Sequence, residues 1–164
     1  MEEREQKLAA FVGWAPGEKI TMLKSEYLDG RVVKWSLPAI HGRPGPDAPS
    51  LKRLLLPQGE LAQIYDSDEG IRYLAAVETR LGGDRGRHYH KVKEEWIYVL
   101  QGKVTVIVQD IQTDARASAT LETGDLLFIP AGIAHLMRTI EPGQAIEFSK
   151  TRFNAADTFP FAMG

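Results

Sequence analysis

The stretch from Gly82 to Gly102, GGDRGRHYHKVKEEWIYVLQG, places the tightest constraint on how this chain can fold. Two histidines, His88 and His90, stand one residue apart, and Glu95 opens an apolar run that is typical of a strand. Alternate residues of a strand share a face, so the two imidazoles can point to one place. If Glu95 lies on the same side, a carboxylate joins them there.

A second segment, GDLLFIPAGIAH, carries a third histidine after a turn marked by Pro130 and Gly132. Three imidazoles and one carboxylate suit a divalent transition ion such as iron, manganese, nickel, cobalt or zinc. The alternative is a set of structural histidines, but three of the four histidines in the chain fall on this pattern. The sequence therefore predicts a site for one divalent metal. The predicted ligands are His88, His90, Glu95 and His135.

Glu94 competes with Glu95 for the ligand position, and the strand period separates the two. Glu95 shares a face with Ile97, whereas Glu94 shares the other face with Tyr98; a one-residue bulge would reverse the assignment. An unpaired buried carboxylate is costly, so Glu95→Gln is expected to weaken metal binding without loss of metal-free stability. Glu94→Gln is expected to change the free energy of unfolding by no more than about 0.5 kcal/mol, as surface substitutions usually do.

Short strand-like runs separated by turn signals every ~8 to 12 residues indicate an all-β sandwich or barrel. A length of 164 residues with 43% hydrophobic content suits one compact domain. We expect residues 1–50 to form an N-terminal helix, short strands and a Pro/Gly-rich loop on the barrel. Residues 51–152 are expected to form the barrel itself, and residues 153–164 an apolar tail.

The element boundaries follow from periodicity and turn residues. An amphipathic helix is expected over residues 2–12, and a loop without regular structure over residues 38–50, where four prolines fall. Hairpins are expected across Asp29-Gly30 and across Gln101-Gly102. The expected strands are residues 20–23, 32–37, 51–56, 60–68, 71–80, 95–100, 103–109, 118–122, 125–129, 136–140 and 145–151.

These two histidine segments resemble the two motifs of the cupin superfamily. The matching positions are Gly82, His88, His90, Glu95, Gly102, Gly124, Pro130, Gly132 and His135. Thr139 stands where the family pattern usually has Asn. The resemblance spans roughly residues 70 to 150 and favours Glu95 over Glu94 as ligand. It implies a double-stranded β-helix, or jelly-roll, barrel with a metal site inside the barrel mouth.

A narrower resemblance concerns the segment RGRHYH, residues 85–90, which looks like the RG-x-H-Y stretch of cupin-type nucleotide-sugar epimerases. The closing FNAADTFPF is similar to the tail of some of them. This resemblance implies that His88 is a general base that acts without a metal. The position of His90 is commonly not histidine in those enzymes, and this departure, together with His135, favours the metal site.

Three functions follow as hypotheses. The first is a metal-dependent enzyme of dioxygenase, isomerase or decarboxylase type that acts on a small organic acid or sugar-like substrate. The second is a nucleotide-sugar epimerase or isomerase with His88 as base, and the third is a non-catalytic cupin that binds a small ligand. The expected catalytic residues are His88, Glu95 and Tyr98. The expected substrate-binding residues are Arg80, Arg87 and Tyr73, since arginine forms charge-assisted hydrogen bonds with anions; the alternative for the arginines is a solvated rim.

The expected partners are few. The net charge is −2 and no basic run occurs, so nucleic acid is not expected as a partner. No apolar run approaches the ~20 residues of a membrane span, and the acidic start is unlike a signal peptide, so a cytoplasmic location is expected. The apolar tail and the first helix need a surface to cover them, which predicts a homodimer.

Overall fold

The computed structural model describes residue 20 and residues 22–163 of the chain. The helix that the sequence predicts over residues 2–12 lies outside the described residues. The described part is all-β, as predicted, and contains one short 3-10 turn, Ala155–Asp157. None of its helices is long and apolar enough to cross a membrane; the cytoplasmic location stays a prediction.

Twelve strands are present in the described residues. They are β1 (Leu23–Tyr27), β2 (Val32–Ser36), β3 (Ala39–His41), β4 (Lys52–Leu56), β5 (Gly59–Gln63), β6 (Tyr73–Thr79), β7 (Arg85–Tyr89), β8 (Glu95–Asp110), β9 (Arg116–Glu122), β10 (Asp125–Ile129), β11 (Ile133–Ser149) and β12 (Phe159–Pro160). Nine of them form one sheet in the order β1-β2-β10-β8-β11-β7-β12, with β6 added on β11 and β9 on β8. A separate sheet holds β3, β4 and β5. This arrangement is consistent with the expected jelly roll.

The long strands β8 and β11 correct the sequence analysis, which expected a break in each. They pair antiparallel along most of their length, and the register shifts near Glu141 and Gln144 mark where β11 bends. Gly102 in β8 has a φ of +93°, and a Cβ there would lie 2.6 Å from the carbonyl oxygen of Glu141. The glycine therefore lets the two strands approach and bend together, so the expected hairpin across Gln101-Gly102 does not form.

The first described segment forms the expected hairpin with shifted bounds. Strands β1 and β2 pair across Asp29 and Gly30, both of which have positive φ values, as a tight turn requires. The expectation that residues 38–50 lack regular structure is wrong for Ala39–His41, which pairs in parallel with β4. The prolines stand outside these three residues, so the backbone groups of β3 are free to pair.

Alternate residues of β8 enter different cores, which sets the inward face of the barrel. Ile97 and Val99 belong to the interior core with residues of β9, β10 and β11. Tyr98 lies in a second core, with Phe148, where the main sheet packs on residues of the three-stranded sheet. Residues in phase with Ile97, including Glu95, therefore face the interior.

The C-terminal tail packs on its own barrel. Strand β12 pairs with β7, and Phe159 and Phe161 both contact the ring of Tyr89. The guanidinium of Arg87 donates to the carbonyl of Met163 at 2.6 Å. Because these apolar side chains are covered within the chain, most of the tail no longer argues for a partner subunit, and the homodimer stays a prediction.

Candidate functional site

Four side chains converge at one end of the barrel interior. His88 lies at the end of β7 and is paired across the sheet with His135 on β11. His90 follows in the loop between β7 and β8, and Glu95 is the first residue of β8. One donor atom from each of the four lies within 4.8 Å of the other three. The predicted cluster of possible metal ligands therefore exists, although its residues come from three separate segments.

The hydrogen bonds of His90 and His135 fix where their lone pairs point. The Nδ1 atom of His90 lies 2.7 Å from the carbonyl oxygen of Asp157, and that of His135 lies 3.2 Å from the carbonyl oxygen of Ile133. A carbonyl oxygen only accepts, so both Nδ1 atoms carry the hydrogen and donate. In a neutral ring, the Nε2 atom then presents a lone pair.

Both of these Nε2 atoms face the same carboxylate. The Nε2 of His90 lies 3.0 Å from Oε1 of Glu95, and the Nε2 of His135 lies 2.7 Å from Oε2. Lone pairs directed at carboxylate oxygens repel unless positive charge lies between them, either as protons on the rings or as a cation. All three side chains are buried, so water does not screen this repulsion. The geometry thus calls for a positive charge at the centre of the cluster.

The pKa directions agree with this charge requirement. Burial opposes the charged form of Glu95, but the positive charge and hydrogen bonds of His135 outweigh it and hold the pKa of Glu95 well below its usual range. Burial also lowers the pKa of His135, yet the adjacent Glu95 carboxylate outweighs burial and raises that pKa. The cluster therefore keeps Glu95 ionised and ready to bind a cation.

His88 differs from the other two imidazoles. Burial and the charge of His135 lower the pKa of His88 to about 4, so its ring is neutral at pH 7. No hydrogen bond of its ring is found among residues 22–163. A half-buried, neutral imidazole with a free lone pair can serve either as a third nitrogen ligand or as a base.

Two charged residues that the sequence analysis missed complete the cluster. The ammonium of Lys93 lies 2.8 Å from Glu95 and 3.1 Å from Glu147, and it stands 4.4 Å from the ring centre of Tyr73. Lys93 is only 4% exposed. Glu147 has a sequence signal, because it is the one acidic residue in the apolar run AIEF of β11. Lys93 has none: Glu95 is two positions away, but Glu147 becomes its neighbour only in the folded chain.

A cavity of about 550 Å³ opens over the four-residue cluster, within the usual size of small-molecule sites, about 300–1,000 Å³. Its charged lining is Arg85, Lys93, Glu95 and Glu147, and its apolar lining includes Val77, Ile97 and Met137. The tail supplies Phe153, Ala155 and Thr158. The buried hydroxyl of Thr158 has no hydrogen-bond partner in the described part of the chain.

Only one of the three expected substrate-binding residues is among the lining residues of the cavity. Tyr73 lines the cavity. Neither arginine is among the described lining residues: Arg80 is a largely exposed side chain that pairs with Glu78, and Arg87 turns outward toward Met163. Arg87 has a positive φ in the bulge beside His135, and this bulge directs its side chain away from the cavity. Arg85 lines the cavity in place of these two arginines, and substrate binding by Arg80, Arg87 and Tyr73 stays a prediction.

Tyr98 is also misplaced by the sequence analysis. Three positions separate it from Glu95, so the two side chains lie on opposite faces of β8. The ring is 1% exposed in the core beside Phe148, and burial raises the pKa of its phenol to about 12. The sheet itself separates the Tyr98 side chain from the cavity, and its expected catalytic role stays an untested prediction.

Glu94 has the expected orientation but not the expected surroundings. Its carboxylate faces away from the cavity and accepts hydrogen bonds from the Ser149 hydroxyl, the Lys150 backbone N–H and the Thr151 hydroxyl. These contacts tie the start of β8 to the end of β11. Glu94 is therefore a structural acceptor rather than a solvated exterior carboxylate.

Comparisons with known proteins bear on the fold. A family model described as a cupin domain matches residues 77–149. A search of curated protein sequences finds no match. Among solved structures, a 3,4-ketoisomerase from Helicobacter canadensis is 17% identical with a TM-score of 0.59, covering 67% of this chain and 86% of that chain.

Two epimerase structures cover more of the chain. A dTDP-6-deoxy-D-glucose-3,5-epimerase from Legionella pneumophila Philadelphia 1, in complex with dTDP-4-keto-L-rhamnose, is 14% identical with a TM-score of 0.65, covering 85% of this chain and 77% of that chain. A dTDP-4-dehydrorhamnose 3,5-epimerase from Sulfolobus tokodaii is 18% identical with a TM-score of 0.64, covering 84% and 79%. At these identities the likeness concerns the fold alone.

Proposed function

We propose that this chain, whose residues 77–149 form a cupin domain, binds one divalent transition metal and acts on a small substrate in the cavity above it. The ligands in this proposal are His88, His90, Glu95 and His135. The observation that carries the proposal is the direction of the Nε2 atoms of His90 and His135 toward Glu95 while their Nδ1 atoms donate to carbonyls.

The donor set fits a metal in a second respect. Metal-binding histidines almost always donate their other ring N–H to a carbonyl or carboxylate, which fixes the tautomer and aims the lone pair. His90 and His135 both have this outer partner, and His88 adds a third free nitrogen. Three imidazoles with one carboxylate suit iron, manganese, cobalt, nickel or zinc rather than calcium or magnesium, which prefer oxygen ligands.

The chain's own residues define what the cavity accepts. A metal bound at the four ligands would supply Lewis acidity, and iron or manganese would add redox chemistry. The positive charges of Lys93 and Arg85 balance the carboxylates of Glu95 and Glu147 in the wall, so a bound divalent metal would leave the lining net positive, which favours an acidic substrate. The apolar lining excludes water from the uncharged part of the cavity. A small organic acid or a sugar-like acid fits these contacts. Dioxygenase, isomerase and decarboxylase reactions are all compatible with this arrangement.

Metal content tests the proposal directly. Protein purified without added metal is expected to contain about one divalent ion per chain by elemental analysis. His90→Ala should lower metal affinity more than tenfold, because it removes a ligand and opens the geometry of the other three. His41→Ala is the matched control, since His41 is an exposed residue at the end of β3 and should leave the metal content unchanged.

Full occupancy of His90→Ala in competition with a chelator would contradict the ligand assignment. An unsubstituted protein that takes up no iron, manganese, cobalt, nickel or zinc would contradict the metal site altogether.

A second candidate function is a metal-independent epimerase or isomerase of nucleotide sugars with His88 as general base. The observation that favours it is the neutral, half-buried ring of His88, which lines the cavity without a hydrogen-bond partner among the described residues. Such a ring can remove a proton beside a ketone. The Legionella epimerase structure contains dTDP-4-keto-L-rhamnose, which provides a defined compound for the test.

Isotope exchange separates the two candidates. If His88 is such a base, EDTA-treated protein should catalyse the exchange of hydrogen for deuterium beside the ketone of dTDP-4-keto-L-rhamnose in D2O. Mass spectrometry of the nucleotide sugar measures this exchange. His88→Ala should slow this exchange more than about a hundredfold, and His41→Ala should not. No exchange in the metal-free protein would remove the epimerase function, whereas exchange that requires added metal would favour the first proposal.

A further inference from the structure

Asp157, in the C-terminal tail, contacts the loop that carries two of the proposed metal ligands. Its carboxylate accepts the backbone N–H groups of three consecutive residues: Lys91 at 2.8 Å, Val92 at 3.2 Å and Lys93 at 3.0 Å. Three successive N–H groups directed at one point form an anion-binding nest. The nest is filled by a carboxylate from a residue more than 60 positions away, with separations of 64 to 66.

The same residue makes a second contact through its backbone. Its carbonyl oxygen accepts the Nδ1 hydrogen of His90 at 2.7 Å, which leaves the Nε2 atom as the lone pair that faces Glu95. Asp157 is 9% exposed, so water does not compete for these bonds. Its two groups together hold His90 and the backbone just before Glu95 in one geometry.

The loop between β7 and β8 depends on this contact because its two ends supply ligands. His90 begins the loop, and Glu95 follows it at the start of β8. Within the loop, Lys93 also binds Glu95. A shift of residues 91–93 therefore changes the distance and angle between the two ligands, and a metal site tolerates little of either.

We propose that Asp157 is a positioning residue: it sets the tautomer of His90 and the path of residues 91–93, and thereby the affinity of the site for a metal. This inference rests on the proposed metal function. The inference goes beyond that function because it makes the C-terminal tail a required part of the metal site. The tail is otherwise held by the pairing of β12 with β7 and by the contacts of Phe159 and Phe161 with Tyr89, so loss of the Asp157 carboxylate leaves the tail in place.

The chain offers a matched control in the same 3-10 turn. The side chain of Asn154 caps this turn by accepting the backbone N–H of Ala156 at 3.0 Å. It has no hydrogen bond to residues 90–95 among those described. Asn154→Ala therefore loosens the turn without removing any contact to the ligand loop, and it reports what a purely structural effect of the tail would do.

The experiment measures Zn2+ affinity by competition with a chelator, at a temperature where every variant is folded by circular dichroism. Asp157→Ala is expected to weaken Zn2+ binding tenfold to a hundredfold, as loss of outer partners of metal ligands does. Asp157→Asn keeps one acceptor oxygen and should lose less Zn2+ affinity than Asp157→Ala. Asn154→Ala should bind Zn2+ as the unsubstituted protein does, even if its thermal midpoint falls. Equal Zn2+ affinity in Asp157→Ala and Asn154→Ala would overturn the proposal.

A metal-free measurement keeps this inference distinguishable from the proposed function. If the unsubstituted protein binds none of zinc, iron, manganese, cobalt and nickel, the proposed function fails, and Asp157 is then judged by NMR of the apo-protein. The His90 ring should carry its hydrogen on Nδ1 in the unsubstituted protein and in Asn154→Ala. Asp157→Ala keeps the backbone carbonyl that fixes this tautomer, but it removes the acceptor of three N–H groups and should speed amide exchange at residues 91–93. Unchanged amide exchange at residues 91–93 in that variant would overturn the positioning role by itself.

Discussion

Glu95→Gln is expected to lower metal affinity by more than about a hundredfold, which exceeds the loss seen when outer partners of ligands are removed. The amide keeps the shape of the side chain but cannot supply the negative charge that the cation and its imidazole neighbours require. Glu94→Gln, one position earlier and on the opposite face of β8, should leave metal affinity unchanged. The pair therefore tests the ligand and the strand phase in one comparison.

The metal-free stabilities of the two variants should also differ from what the sequence alone predicts. Glu95 is not an unpaired buried charge, because the ammonium of Lys93 lies 2.8 Å away. Glu95→Gln should therefore lower the free energy of unfolding of the apo-protein by about 1–3 kcal/mol, the range for hydrogen bonds to charged groups. Glu94→Gln weakens the hydrogen bonds from the Lys150 backbone N–H and from the hydroxyls of Ser149 and Thr151. It should lower the free energy of unfolding by about 1 kcal/mol, more than a surface substitution does.

Chelator competition and chemical denaturation with and without metal measure both quantities. Loss of metal binding in Glu94→Gln rather than Glu95→Gln would mean that β8 is shifted by one residue. The whole assignment of its inward face would then be wrong.

Gly86→Ala is expected to lower stability strongly and to disturb the site at the same time. Gly86 has a φ of +97°, and a Cβ there would lie 2.5 Å from the carbonyl oxygen of His135. That oxygen belongs to the backbone of β11, which pairs with three other strands and cannot move aside. Backbone strain of about 1–3 kcal/mol and overpacking of about 1–3 kcal/mol together should lower the free energy of unfolding by about 2–5 kcal/mol.

The displaced β11 backbone also carries His135, so metal affinity should fall by at least about tenfold. Gly82→Ala, in the turn that precedes β7, is the matched control. Gly82 also has a positive φ, but a Cβ there meets nothing within 4 Å. Gly82→Ala should lower the free energy of unfolding only by the strain of a left-handed residue, about 1–2 kcal/mol, and should leave metal affinity unchanged. Equal thermal midpoints for the two alanine variants would show that β7 and β11 do not approach at Gly86.

The cupin resemblance, with its partial likeness to sugar-modifying cupins, is confirmed at the level of the fold, and the reason is that its signals are local. Alternation in Glu95-Trp96-Ile97-Tyr98 sets which side chains share a face. Glu95 therefore lies on the same face as Ile97, which is buried in the interior core. The His-x-His spacing brings two imidazoles together by the same geometry. The ligand cluster could therefore be predicted from residues that are close in sequence, together with the second motif that places His135.

The tertiary structure alone decided what surrounds those ligands. Lys93 meets Glu147 across 54 positions, and His90 meets Asp157 across 67. No period or spacing encodes such pairs, because they form only when β11 and the tail pack against the loop between β7 and β8. For the same reason the sequence could not show that the side chains of Tyr98, Arg80 and Arg87 are absent from the cavity lining. Residue type shows what a side chain can do, but the face on which it lies and the partners that bury it decide whether it reaches the cavity.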